Sequence, residues 1–499
     1  MSPDLLQLCA LVCVLAATSA VRLRLFRPTT HGSARWGKPP RACLLHPQPG
    51  GVQIGHYRRK PVTLPRETAL QHGLIIGGTG TGKSRGYFLP NAAALAGTSL
   101  VCTDPKGELW RTTAGFHRQA LRFAPADPAA SACFNWIPLC REARIAELCA
   151  RAIVESGNTA RTEQVWIDLE TAFLSALFAH AATLPAPTPL TAYRLFTGQS
   201  QEALIDQLLH SDSQAAQEQA LIFAQTDERL RGSIVPVLAA KLQFLRDEAI
   251  ARFTSASLAA PDFGRLREEP AALYWCLKEG DIARLRPLTC VFFSLLLEQI
   301  AGQSEDPSAV PITLLLDEFA NIGVIPHFET TISVVRGRGI SLWLGIQSLS
   351  QLEARYGKAN SQTIITNCAT KIALHGLDIQ TAKYLSETLG EATVSTSRQS
   401  VQRLFGLLPA PSVTVSDQQV RRSLLTPDEV RRIPSDRAIV IVGNQRPLLL
   451  TKRYYAAPAR TKASPTPPLG RALVSLPQPA LSAKSMPPPF PEELRTPLF

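Results

Sequence analysis

The chain has 499 residues, 45% of them hydrophobic and 18% charged, with a formal net charge of +12. That length and apolar content exclude a wholly disordered chain and allow about three domains of ordinary size. Ten cysteines with no Cys-x-x-Cys pair and no histidine cluster exclude a disulfide framework and a zinc site; they read as small apolar residues in a reducing compartment.

The charge is concentrated at one place. Leu5 to Val21 is uncharged for 17 residues, and residues 22–66 then hold ten Lys/Arg and no Asp or Glu. As a helix the uncharged run spans about 25 Å, a little short of a bilayer core, with Leu23, Leu25 and Phe26 available to extend it. Thr18-Ser19-Ala20 resembles a cleavage site, but Asp4 precedes the run and Arg22, Arg24 and Arg27 follow it. That asymmetry favours an uncleaved single-pass anchor with the remainder of the chain in the cytoplasm. The basic stretch fits anionic lipid headgroups ahead of nucleic acid.

Along the chain, a first strand or two is expected near Val52–Tyr57. Leu74–Ile76, Ser99–Thr103 and Leu121–Phe123 read as buried strands, with helix-like sequence from Leu109 to Gln119. Alternation of this kind argues for a parallel sheet. Residues 138–260 change character: Leu169, Ala172, Phe173, Ala176 and Leu177 recur at helical spacing, strand-like runs are scarce, and Pro185, Pro187 and Pro189 mark a loop. Further strands are expected at Ile312–Leu316, Ser341–Gly345, Lys371–Leu374 and Ala438–Val442, with Leu448–Leu450 closing a terminal hairpin. Helices are expected over Phe328–Arg338, Ser350–Tyr356 and Asp378–Leu389. Beyond Ala457 the composition turns to Pro, Ala, Ser and Lys, which reads as a disordered tail.

Gly77-Gly78-Thr79-Gly80-Thr81-Gly82-Lys83-Ser84 fits G-x-x-x-x-G-K-[ST] between a buried strand and a helical stretch. Glycines let backbone N–H groups curl around an anion, Lys83 reaches the β- and γ-phosphates, and Ser84 offers its hydroxyl to Mg²⁺. A helix beginning near Gly82 aims its positive end at the phosphates, and Pro90 inside that helix is tolerable as a kink. Ile312–Leu316 ends in Asp317-Glu318, at the strand end where ligands of a parallel sheet sit. Asp317 would hold Mg²⁺ and Glu318 would polarise the attacking water. Gln347, after the next strand, is a γ-phosphate sensor or a turn residue. Arg336 and Arg338 end a helix; either the dipole places them there or Arg336 is a finger onto a neighbouring subunit's nucleotide. Asp104-Pro105-Lys106-Gly107-Glu108 faces the same crevice and is equally good as a turn.

Together with His31-Gly32-Ser33-Ala34-Arg35-Trp36, Val101–Leu109, Leu315–Gly323, Gln347–Leu352, Tyr356-Gly357, Asn367-Cys368, Thr381-Ala382, Ser386 and Leu425–Val430, these segments resemble the TraG-type coupling ATPases of conjugative and type IV secretion systems. The resemblance covers about residues 30–455. It implies an α/β fold: a RecA-like P-loop NTPase domain with a parallel-rich sheet, an inserted all-α domain and an N-terminal transmembrane helix. The expected division is an anchor at 1–26, a basic juxtamembrane linker at 27–65 and a nucleotide-binding domain at 66–149 and 266–456. The all-α domain would occupy 150–265 and the Pro-rich tail 457–499. The family pattern places phosphate roles on Gly82, Lys83 and Ser84, metal and water roles on Asp317 and Glu318, sensing on Gln347 and the finger on Arg336. It also implies ATP and Mg²⁺ as cofactors and a homo-hexamer on the bacterial inner membrane. The implied partners are type IV secretion inner-membrane components and single-stranded DNA carrying a relaxase. Many relatives carry two membrane helices; this sequence shows one. A coupling ATPase for protein effectors would share the core. A septal double-stranded DNA pump would add a C-terminal winged-helix module, against which the Pro-rich tail argues.

Overall fold

A computed structural model of the chain describes residues 29–44, 49–157, 163–255, 257, 259–303, 306, 308–402 and 412–455. The expected anchor at 1–26 and tail at 457–499 lie outside the described residues. No helix among the described residues is long and apolar enough to cross a membrane.

The strands are β1 (Val52–Tyr57), β2 (Lys60–Leu64), β3 (Gly73–Ile76), β4 (Ser99–Thr103), β5 (Ala120–Phe123), β6 (Ala272–Trp275), β7 (Ile312–Leu316), β8 (Ile340–Ile346), β9 (Thr370–Ala373), β10 (Glu391–Gln402), β11 (Ser412–Ser423), β12 (Arg437–Val442) and β13 (Leu448–Thr451). Eleven of them make one sheet in the order β2-β1-β13-β12-β9-β3-β8-β7-β4-β6-β5. From β9 to β5 every neighbour is parallel. β12, β13, β1 and β2 add an antiparallel margin. The parallel strands are short apolar runs because both faces are covered. Leu74, Ile76 and Val101 pack into a core on one face, Ile75, Leu100 and Cys102 into a second core on the other.

Between β5 and β6 the longer elements are all α-helical: Ala143–Glu155, Gln164–Ala181, Pro189–Thr197, Gln201–Leu209, Gln214–Ala224, Glu228–Leu242 and Glu248–Ser255. Thr188, Ser200, Ser213 and Asp227 accept backbone N–H bonds at helix starts, each satisfying donors that the helix leaves orphaned. The proline-marked loop therefore ends at Thr188, and Pro189 opens a helix, where its missing N–H costs nothing. Gln164–Ala181 is the buried centre of this group, with Phe173 stacked on Phe223 at 4.2 Å.

Some elements differ from the sequence reading. After Lys83 the chain makes a π-helical turn, Ser84–Phe88, before an α-helix at Leu89–Ala94, so Pro90 occupies a helix start and not a mid-helix kink. The helix from Leu109 stops at Thr113, giving way to a 3₁₀ turn at Ala114–Phe116 and then β5. The helix beginning near Ser350 continues to Asn367 through a break at Gly357, whose φ of 74° is open to glycine. β10 and β11 form a separate antiparallel hairpin of twelve paired positions that the sequence reading did not include. The chain just after residue 29 fastens to its base: Ala34 N–H donates to the Glu391 carbonyl at 2.9 Å and Thr393 N–H to the Gly32 carbonyl at 3.1 Å. Gly37 N–H reaches the Pro447 carbonyl at 2.8 Å.

Candidate functional site

The glycine-rich loop leaves the carboxyl end of β3 at Gly77, whose N–H donates to the Ile346 carbonyl of β8 at 3.1 Å. Gly80 and Gly82 have φ of 77° and 89°, a region that side chains with a Cβ seldom occupy, and these two residues turn the loop back on itself. Lys83 is 5% exposed. Its Nζ donates to the Gly77 carbonyl at 2.7 Å and lies 3.4 Å from Oε1 of Glu318. The ammonium is thus held inside the loop it would serve.

Asp317 and Glu318 end β7, one strand beyond β8. Ser84 Oγ donates to Asp317 Oδ2, which brings together the two residues expected to share the metal. Asp317 is fully enclosed; burial raises its pKa to about 6, partly offset by the Ser84 hydrogen bond. Thr103 Oγ1, at the end of β4, donates to the Asp317 carbonyl at 2.8 Å. Gly345 of β8 faces Asp317 so closely that a Cβ there would stand 3.0 Å from Oδ1 and 2.9 Å from the Phe88 ring. Glu318 adopts φ 54° and ψ 43°, a left-handed conformation costly for a residue with a side chain. Such strain persists where the surroundings over-determine it, and here Gln347 Nε2 donates to Glu318 Oε2 at 2.9 Å. Gln347 itself follows β8 directly and is tied by its N–H to Gln351 Oε1 at 3.2 Å.

Lys83, Ser84, Asp317, Glu318 and Gln347 therefore converge at the carboxyl ends of three adjacent strands. Their donor set fits a Mg²⁺-bound polyphosphate: backbone N–H groups and a lysine for the anion, a hydroxyl and a carboxylate for the metal. Arg336 is elsewhere. It sits in the 3₁₀ turn Arg336–Arg338 just before β8 begins, exposed, at the opposite end of the sheet. β8 is seven residues long, so its ends are roughly 20 Å apart. Arg336 does not approach the loop of its own subunit.

Sequence reasoning left Asp104 undecided and did not name Lys452 or Tyr454. Asp104 is 1% exposed, accepts the Trp110 N–H through Oδ2 at 2.8 Å, and has no partner on Oδ1 among the described residues. It lines a small cavity with Thr103, Trp275, Asp317, Glu318 and Asn321. Arg85, one residue past Ser84, pairs with Glu108 at 3.0 Å and ties the loop's helix to this turn. Lys452 is buried and donates from Nζ to the Thr81 carbonyl of the loop. The sequence signal for Asp104 was its place at a strand end; Lys452, far along the chain, carried none.

Residues 32–472 match the family described as "Type IV secretory system Conjugative DNA transfer". The chain belongs to that family. This family member is 27% identical to a conjugal transfer protein TraG of Escherichia coli, over 91% of this chain and 80% of the relative. It is 27% identical to a VirD4 protein of Rhizobium rhizogenes, over 77% of this chain and 58% of that protein. Its fold is similar to the unbound bacterial conjugative coupling protein TrwBdeltaN70, with a TM-score of 0.68 and 20% identity over 85% of this chain and 92% of that one. It is also similar to the plasmid coupling protein TrwB in complex with ADP and Mg²⁺, with a TM-score of 0.65 and 21% identity over 81% and 89% of the two chains. The likeness supports the RecA-like arrangement of a parallel-rich sheet with helices on both faces.

Proposed function

We propose that this chain is the ATP-driven coupling motor of a type IV conjugative DNA-transfer system. In this reading it works as a homo-hexameric ring at the bacterial inner membrane and feeds single-stranded DNA with its bound relaxase to the secretion channel. The observation that carries the motor reading is the convergence of Lys83, Ser84, Asp317, Glu318 and Gln347 from three strands onto one point. The TrwB structure with ADP and Mg²⁺ supports the choice of ligand.

Bound ATP with Mg²⁺ would supply the phosphoanhydride whose cleavage drives movement. The residues of this chain have the following parts. Backbone N–H groups of the loop and Lys83 hold the phosphates, for which Lys83 must leave the Gly77 carbonyl. Ser84 and Asp317 hold the metal, and the raised pKa of Asp317 means that the metal competes with a proton there. Glu318, aimed by Gln347, accepts the proton of the attacking water at a carboxylate oxygen. Arg336, exposed and far from its own loop, would act in such a ring on a neighbour's nucleotide.

The deciding experiment is phosphate release by the purified full chain with single-stranded, double-stranded or no DNA. Hydrolysis stimulated by single strands is the expected result, and Lys83→Ala should lower it at least about a thousandfold while leaving membrane association unchanged. Full turnover in Lys83→Ala would overturn the site assignment, and equal stimulation by duplex would overturn the choice of substrate.

A further inference from the structure

The nucleotide site has two flanks. Lys83, Glu318 and Gln347 mark where the terminal phosphate belongs, and the last two arise from β7 and β8 on one side of β3. A triphosphate lying along the loop with that end toward β7 and β8 sends its nucleoside the other way, over β9, β12 and β13. The chain emerging from β13 crosses this side. Lys452 N–H donates to the Asp436 carbonyl at 2.7 Å, its Nζ donates to the Thr81 carbonyl, and Tyr455 N–H donates to the Arg85 carbonyl at 2.9 Å. The aliphatic stem of Lys452 lies against Gly86, where a Cβ would meet Cγ at 3.1 Å. Residues 452–455 are thus strapped across the loop and the start of its helix.

Tyr454 is the one ring in this strap placed on the loop itself. A Cβ on Gly82 would stand 2.5 Å from its Cε1, so glycine is required there for the ring to lie against the backbone. The Lys452 ammonium is 5.2 Å from the ring centroid, a cation–π distance that holds the ring's orientation. Yet Tyr454 is 58% exposed, a large aromatic side chain left open to solvent although its backbone neighbours are bonded on both sides. Aromatic rings held open beside a phosphate-binding surface stack bases without demanding one sequence.

We propose that Tyr454 is the base-stacking platform of the nucleotide site, and that Lys452 is the positioning residue that fixes it to the glycine loop. The ligand class is a nucleoside triphosphate whose base lies on the Tyr454 ring. The inference rests on the nucleotide reading above. It adds the side of the site that the glycine and carboxylate motifs do not specify.

The test compares two probes on the full chain with Mg²⁺: ATP and inorganic tripolyphosphate, which has the charge but no nucleoside. Wild-type protein should bind both. Tyr454→Ala should weaken ATP about tenfold and change tripolyphosphate less than about twofold, while Tyr454→Phe keeps ATP affinity. An unchanged ATP affinity in Tyr454→Ala would overturn the proposal. Equal losses for both probes would overturn it too, since the ring would then be shaping the loop and not receiving a base. Failure of the wild type to bind tripolyphosphate would instead overturn the phosphate-loop reading, and this inference with it.

Discussion

The two ends of β3 carry the same kind of strain and put it to opposite uses. His72, before the strand, has φ 59°, and Glu318, level with its far end, has φ 54°. His72 is almost fully buried, with both ring nitrogens satisfied by backbone: Nε2 donates to the Ile332 carbonyl at 2.8 Å and Nδ1 accepts the Leu342 N–H at 3.1 Å. Desolvation lowers its pKa to about 4, so it stays neutral. At the carboxyl end the polar groups restrain one another: Lys83 on Gly77 and Glu318, Ser84 on Asp317, Gln347 on Glu318. His72 is held by backbone groups alone and is structural; at the carboxyl end the bonds between side chains, beside the Lys83 bond to the Gly77 carbonyl, can be released to a ligand. Burial and strain alone do not separate the two cases, and the identity of the partners does.

The largest test of this contrast concerns Arg336, which lies at the structural end but is exposed and would act on a neighbour. Arg336→Ala should keep nucleotide binding and lose about a thousandfold in turnover, recovering partly in rings mixed with Lys83→Ala chains. Full activity of Arg336→Ala would confine function to the carboxyl end. Next, His72→Ala leaves the Leu342 N–H and the Ile332 carbonyl without their partner, and should cost about 2–3 kcal/mol in denaturant unfolding with turnover per folded molecule unchanged. A large drop in turnover at unchanged stability would break the division between the ends.

The smallest effect is a pair of opposed pH slopes in the ligand-free protein. His72 has a folded pKa of about 4, below its ordinary 6.5. Its contribution is present above pH 6.5 and is lost as pH falls through 4. Asp317 has a folded pKa of about 6, above its ordinary 3.8. Its contribution is present below pH 3.8 and is lost as pH rises through 6. Between pH 4 and 6 the two should largely cancel. Asp317→Asn should expose the His72 slope, roughly 1 kcal/mol or more per pH unit, read by unfolding at stepped pH. Mg²⁺ affinity in wild type should fall about tenfold per pH unit below pH 6 as Asp317 takes up its proton.

Much of the sheet was legible because its strands are continuous apolar runs. Ser99–Thr103 and Ile312–Leu316 are strands with those same limits, and β1 and β2 lie where a first strand or two was expected. β6 was not read: Ala272–Trp275 lies inside the longer apolar run Ala271–Leu277, within which the pattern marks no strand limits. β10 and β11 escaped for a stronger reason: their Ser, Thr, Gln and Arg content leaves only short alternations, Ala392/Val394 and Val413/Val415, too brief to read as strands of twelve residues outside the main sheet. In the site, Lys83, Ser84, Asp317 and Glu318 were legible because each motif is contiguous and sits at a strand end. The bond from Gln347 to Glu318, the unpartnered oxygen of Asp104 and the contact of Lys452 with the loop were not. The two contacts join residues that only the strand order brings together, and the Asp104 oxygen shows as unpartnered only once its surroundings are in place.

The segment between residues 30 and 37 lies at the start of the described chain and yet is bonded to Glu391, Thr393 and Pro447, near its other end. A chain threaded in this way stitches the two ends of the described chain together. Traction applied upstream of residue 30 would pass to the base of the β10–β11 hairpin and to the turn between β12 and β13 before it stretched β1. From that turn, β13 leads straight to the strap over the glycine loop, so a tug on the leader has a short mechanical route to the site where fuel would be spent.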